Sequence, residues 1–294
     1  MTMVIKEINI NKLLKDYLKK LKMTGLDEKT VKTYGFYLKY FVEFYQRNDL
    51  DLNGLTDNEI YKFIQFLKKK GLSPASIKQV LNRVKDFIIA SGFNWDIDKR
   101  IYRERDKKES ANPFFDDELS LILDYTKTHH ENYYYLILAL YGFGLRISEG
   151  VNLKPSDIVK EEGNIFVKVR SDVAKFSKSR IAPLILKDDY RHDFLSFVKK
   201  QKDKDYLFEF KQKGKKFRIT KDNAKLFFYR LSKKLGLHIT AHRFRDSYIS
   251  YLISKGLKPS IVAKWVGHQD INTTLKYYTK LSSRDELLEL AKIF

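Results

Sequence analysis

The chain has 294 residues, enough for two domains of ordinary size, and its 43% hydrophobic and 14% aromatic content can build their cores. It carries no cysteine, which excludes disulfides, a thiol nucleophile and a thiolate-bound metal. Lys and Arg number 57 against 37 Asp and Glu, and the resulting +20 points to a polyanion partner, most simply nucleic acid, although a Lys-rich composition alone has the same balance.

The opening stretch, MTMVIKEINI, lacks the apolar core of a signal peptide. No apolar run approaches the roughly 18 residues that would mark a membrane-spanning helix. A soluble, cytoplasmic protein with no membrane partner is expected.

The first hundred residues read as four helices. Ile10, Leu13, Leu14, Tyr17, Leu18 and Leu21 recur at helical spacing. A second helix opens near Asp27 and carries Val31, Tyr34, Leu38, Phe41, Val42 and Tyr45 on one face. The third starts with a capping pair, Thr56 and Glu59, and stops at Gly71. The fourth starts at Ser73 and Pro74 and runs to Gly92. Lysines such as those in LKKK at 67–70 lie on outer faces, which makes a small basic bundle. The charged, aperiodic stretch that follows, ending at Pro113, reads as an interdomain linker.

The second half mixes helix and strand. Helical patterns cover 116–126 and 131–141. NIFVKV at 164–169 alternates, with Ile165, Val167 and Val169 on one face, and SRIAPL at 179–184 is a second short strand. A basic, polar connector separates them. Helices resume at 187–199, 221–234, 243–255 and 260–266, and a final amphipathic segment covers Ser283–Phe294.

Neither a Gly-rich phosphate loop, an HExxH pair nor an EF-hand is present. YGFGLRISEG places Arg146 at the start of a short helix, with Glu149 three residues on. TAHRFRDSY puts His242 three residues before Arg245, which predicts that they share a helical face. WVGHQ puts His268 just past a helix that ends at Gly267, and Tyr277 and Tyr278 follow. Singly, each has an ordinary structural explanation. Together, two arginines, two histidines, a lysine and a tyrosine form a kit for phosphoryl transfer without a metal. Guanidinium forks meet the charge that gathers on a phosphodiester under attack. A tyrosine can form a covalent phosphate ester, and a lysine can protonate the leaving oxygen.

GFGLRISEGVNLKPSDI resembles the first arginine motif of tyrosine recombinases, the phage-integrase and Xer family. AHRFR matches the family's His-x-x-Arg motif, and WVGHQDINTTLKYY its Gly-His and Thr-Thr-x-x-Tyr segment. LDEKTVKTYGFYLKYFVEFY and GLSPASIKQVLNRVKDFI resemble the helical core-binding domain, so the likeness covers nearly the whole chain and is greatest to the Xer subgroup, archaeal members included.

The resemblance implies a mostly α fold with a small β-sheet. An N-terminal four-helix SAM-like core-binding domain would span 1–105, a linker 106–112, and a mixed α/β catalytic domain with a C-terminal helix 113–294. Arg146 and Arg245 would clamp the scissile phosphate, with Glu149 orienting Arg146. His242 would act in acid–base work, His268 would hydrogen-bond a phosphate oxygen, and Tyr277, selected over Tyr278 by the family spacing, would attack. The family's lysine aligns with Lys175, with Lys178 as the alternative, because Ala174 and Phe176 replace the flanking glycines. Asp246 stands where Xer proteins usually have histidine, and Lys280, not histidine, follows the tyrosines.

The implied function is site-specific recombination of double-stranded DNA through a 3′-phosphotyrosine and a Holliday junction, in chromosome dimer resolution or mobile-element integration. No metal or nucleotide cofactor is expected, and the C-terminal helix would tie protomers into a tetramer on DNA. No motif assigns a target site or an accessory protein. A non-cleaving DNA-binding protein on the same scaffold and a topoisomerase-like nicking–rejoining enzyme are the readings from other classes.

Overall fold

Four helices open the chain: α1 (Ile10–Met23), α2 (Glu28–Asn48), α3 (Asp57–Lys69) and α4 (Pro74–Ala90). This computed structural model describes residues 9–48, 50–102, 112–174, 178–212, 214–275 and 277. The chain divides into two units, Met1–Lys108 and Glu109–Phe294. In the first, each helix start has a chemical cause. Asn9 Oδ1 accepts from Lys12 N at 3.0 Å, Asp27 Oδ1 from Thr30 N at 2.9 Å, and Ser73 Oγ from Ser76 N at 3.3 Å. At α3, Glu59 reaches back to accept from Thr56 N at 2.7 Å. The periodic apolar residues meet in one core, where Leu38, Phe41, Phe63, Leu67, Val80, Val84, Phe87 and Ile88 are all fully buried.

The second unit is built around α6 (Glu131–Gly142), which is apolar nearly all round. Such a helix must be covered on every side. It packs against α5 (Asp116–His129), α8 (Asp188–Lys200) and α10 (Ala241–Ser254). A three-stranded antiparallel sheet, in the order β1 (Ile158–Glu161), β2 (Asn164–Val169), β3 (Arg180–Pro183), lies beside them. Ile165, Val167 and Val169 face the core, as their alternation predicts. The register sets Val169 opposite Arg180. Next come a hairpin of β4 (Glu209–Gln212) and β5 (Lys215–Arg218), then α9 (Lys221–Leu235) and α11 (Pro259–Val266), which packs on β3.

Two strand features were not expected from sequence. β1 pairs with β2 through a tight turn at Glu162 and Gly163, and the β4–β5 hairpin is rich in lysine. Both are short strands with little apolar alternation of their own. Among the described residues no helix is long and apolar enough to cross a membrane.

Candidate active site

The loop GFGLR follows α6 and turns on Gly144, whose φ is +62°. A Cβ there would meet Tyr248 Cδ1 at 2.4 Å, so only glycine fits both the backbone and the space. The turn aims the Gly144 carbonyl at Arg245, whose Nη1 donates to it at 2.8 Å. Arg146 then caps the one-turn helix α7 (Ile147–Gly150), and the Glu149 carboxylate reaches back to accept from Arg146 N at 2.8 Å.

The C-terminus of α11 faces this loop. His268 N donates to Ala263 O at 3.0 Å and Gly267 N to Lys264 O at 3.3 Å, a Schellman closure with Gly267 at φ +69°. Three successive carbonyls at this end carry partial negative charge. Each accepts from a different arginine. Arg180 Nε donates to Trp265 O at 2.8 Å, Arg245 Nη2 to Val266 O at 2.5 Å, and Arg146 Nη2 to Gly267 O at 2.9 Å. The helix end is thus a template that gathers three guanidiniums.

Glu149, 1% exposed, is the counterion of the cluster. Its carboxylate accepts from Arg146 Nη1 at 2.9 Å, Arg180 Nη1 at 2.9 Å and Arg180 Nη2 at 2.6 Å. Burial pushes the Glu149 carboxyl up, but the hydrogen bonds and charge of Arg180, the Arg146 amide and the charge of Arg245 outweigh it and hold it below its ordinary value. Burial, then the neighbouring Arg146, pushes Arg245 down to about 9. It stays charged at neutral pH. One carboxylate against three guanidiniums leaves an excess of positive charge aimed at an anion.

That excess opens onto a cleft of about 760 Å³, lined by Arg146, Lys168, Lys178, Arg180, Lys264 and His268. No carboxylate lines it among the described residues. His268 Nδ1 lies 2.8 Å from the Thr274 hydroxyl, which explains the second threonine of the Thr-Thr pair: it is fully buried and orients the imidazole. The cleft is a shaped, cationic receptor for a phosphodiester.

Not every expected residue reaches it. Arg146 and His268 line the cleft; Arg245 is 1% exposed and does not line it, but bonds to the Val266 carbonyl next to Gly267, which does. His242 does not share the environment of Arg245: its side chain is 69% exposed, while Arg245 is 1% exposed. Three helical steps leave residues about 60° apart around the axis, and here the core boundary falls between them. His242 instead lies 3.7 Å from Asp246, one full turn on. Tyr277 is 1% exposed and donates through its hydroxyl to Asp246 Oδ1. Burial, then Asp246, pushes its phenol up from the ordinary value. Lys175, Tyr278 and the segment 283–294 lie outside the described residues.

Residues 114–284 match the phage integrase family, and residues 13–88 match the phage integrase N-terminal SAM-like domain. A probable integrase/recombinase of Aquifex aeolicus is 32% identical, over 90% of this chain and 93% of that protein. The chain belongs to the phage integrase family. It is a tyrosine recombinase, most like the Xer type: the tyrosine recombinase XerA of Pyrococcus horikoshii is 27% identical over 98% of this chain and 96% of its own. The fold is that of the Tn1549 transposon integrase, solved with circular intermediate DNA, at a TM-score of 0.69 and 21% identity over 94% of this chain and 98% of that one.

Two further residues beside the site were given no role from sequence. Arg180 closes the basic connector, in SKSRIAPL. The β2–β3 register, the α11 carbonyl and the Glu149 carboxylate make it a member of the cluster. Asp246 is a buried acid beside Arg245, marked in the sequence only as a departure from the histidine usual in Xer proteins. By contrast Arg243, also buried, serves the architecture. It donates to Asn112 O at 3.0 Å, to His238 O at 2.7 Å and to Glu118 at 3.0 Å, and lies over the Phe114 ring. It stitches the start of the second unit onto α10.

Proposed function

We propose that the recombinase binds duplex DNA and cuts it at Tyr277, with Arg146 and Arg245 clamping the scissile phosphate and His268 donating to one of its oxygens. Tyr277 Oη forms the bond to phosphorus and the bond to the 5′ oxygen breaks, which leaves a 3′-phosphotyrosine and a free 5′-hydroxyl. The tyrosine's proton goes to a base, the role given to His242. The 5′ oxygen takes a proton from a lysine of the β2–β3 connector, Lys175 by resemblance, with Lys178 on the cleft wall. Two such exchanges through a Holliday junction complete recombination. The single observation that carries this reading is the convergence of Arg146, Arg180 and Arg245 on three successive carbonyls beside a cleft that, among the described residues, no carboxylate lines. Fixed cations there would supply the charge neutralisation that a metal supplies elsewhere. No metal or nucleotide cofactor is part of the proposal.

The test is a nicked suicide duplex that carries the target site, incubated in EDTA. A covalent protein–DNA band is expected. Its absence on DNA that the protein demonstrably binds favours the non-cleaving reading.

Assembly gives a second expectation. Ser283–Phe294 carries an apolar stripe of Leu287, Leu288, Leu290, Ala291 and Phe294, which must be buried somewhere if it is helical. We assign it to docking on a neighbouring protomer, tying four into a ring in the cytoplasm of the cell. Deletion from Ser283 should leave a folded protein that binds one site and recombines at least tenfold less. Unchanged recombination removes the contact between protomers, and wholesale unfolding assigns the stripe to its own domain.

A further inference from the structure

The assignment of Arg146 and Arg245 to the scissile phosphate leaves Arg180 without a task. Glu149 meets its charge directly: Arg180 Nη1 and Nη2 donate to the two carboxylate oxygens at 2.9 and 2.6 Å, and the side chain is 8% exposed. Arg245, by contrast, donates to two neutral carbonyls, Gly144 O and Val266 O. A guanidinium whose fork is closed on a carboxylate is a weak receptor for a second anion. What sets Arg180 apart is the set of elements it joins.

Val169 and Arg180 are the last pair of the β2–β3 ladder, so the basic connector leaves at Arg170 and returns at Arg180. Arginines pin both ends. At the outgoing end Arg170 Nη2 donates to Asn152 O at 3.1 Å and pairs with Asp157. At the returning end Arg180 Nε donates to Trp265 O at 2.8 Å, in the last turn of α11, while its fork holds Glu149 of α7. The aliphatic stem of Arg180 lies against Gly267, where a Cβ would meet its Cδ at 3.1 Å. One side chain thus ties β3 to the two elements that present Arg146 and His268. Lys178, two residues before Arg180, lines the same cleft as that pair.

We propose that Arg180 is a positioning residue for the leaving-group proton: it fixes the returning end of the connector to α7 and α11, and so sets the reach of the connector lysine that protonates the 5′ oxygen. The inference rests on the reading of Tyr277 as the nucleophile and of a connector lysine as the acid.

Sulfur in place of the bridging 5′ oxygen tests it. Tyr277 Oη bonds to phosphorus, the P–S bond breaks, and the sulfur leaves as a thiolate, which needs no proton because a thiol ionises at about pH 8.5. A defect in proton delivery vanishes on this substrate, whereas a defect in phosphate charge or in the fold of the site persists. Arg180→Lys keeps the charge but cannot span Trp265 O and both oxygens of Glu149. A positioned acid contributes roughly 10²–10⁴ in rate, so in single turnover on the nicked suicide duplex R180K should form the covalent complex at least about tenfold more slowly than the parent. On the sulfur duplex it should come within about threefold of the parent, with the parent's affinity for both. Equal slowing on the two substrates, or none on either, overturns the proposal. Should R180K not fold, the parent decides. Its Arg180 Nε–H should stay protected from exchange when the duplex is bound, which supports the proposal, and release to meet a phosphate overturns it. Lys175→Ala and Lys178→Ala on the same two substrates keep the possible failures apart. If sulfur rescues one of them but not R180K, a connector lysine is the acid and Arg180 does not position it. If sulfur rescues neither, or if the parent forms no adduct with DNA that it binds, the underlying reading fails and the inference with it.

Discussion

Tyr277→Phe should bind DNA with the parent's affinity and form no covalent complex. The substitution removes the one oxygen that could bond to phosphorus and leaves the ring in its apolar nest and the arginine cluster intact. Tyr278→Phe should still cleave, because the family spacing selects Tyr277 and, if the segment is helical, adjacent residues do not share a face. The change at 277 also deletes a hydrogen bond to a buried carboxylate, about 1.5–3 kcal/mol of stability. A urea melt of the free protein separates that loss from the catalytic one. Digestion of the parent's adduct identifies the modified tyrosine directly. An adduct that persists in Tyr277→Phe and vanishes in Tyr278→Phe would transfer the role to Tyr278, and loss in neither would place the nucleophile elsewhere.

Glu149→Gln should be the most damaging single change to the stability of the second unit. The carboxylate accepts from Arg146 and, with both oxygens, from Arg180, and it is 1% exposed. Glutamine keeps the volume but leaves the guanidiniums of Arg146, Arg180 and Arg245 without a counterion. Breaking a buried pair from one side costs about 3–5 kcal/mol. That is a large share of the roughly 5–15 kcal/mol that holds a typical domain together. The second unit's transition in a denaturant melt should shift by that amount, with little effect on the first unit, whose core is separate. Cleavage should fall as well, since Arg146 takes its orientation from this carboxylate and from Gly267. A shift below about 1 kcal/mol would show that Glu149 is not the counterion of the cluster.

Sequence alone determined the helices and pointed to the family. Apolar periodicity, the Thr56–Glu59 capping pair and the Ser73 cap are local signals, decided within a few residues, and the structure has them where the pattern set them. The ordered motifs at Arg146, Arg245, His268 and Tyr277 carried the family resemblance because each is short and lies on one element. Gly144 and Gly267 are likewise legible as turn residues, although what a side chain would strike there is not. Tertiary structure decided the rest. Arg146 meets Gly267, Arg245 meets Gly144 and Arg180 meets Trp265 across separations of 121, 101 and 85 residues. No local pattern encodes which carbonyl a guanidinium will find. It was the packing of α11 against β3 that recruited Arg180 and turned two arginines into three. The same packing settled direction. Spacing puts His242 and Tyr277 within the motif, but the core boundary leaves His242 exposed and buries Tyr277, whose hydroxyl donates to Asp246. A side chain's direction depends on which neighbours exclude water from it, and those neighbours come from remote parts of the chain.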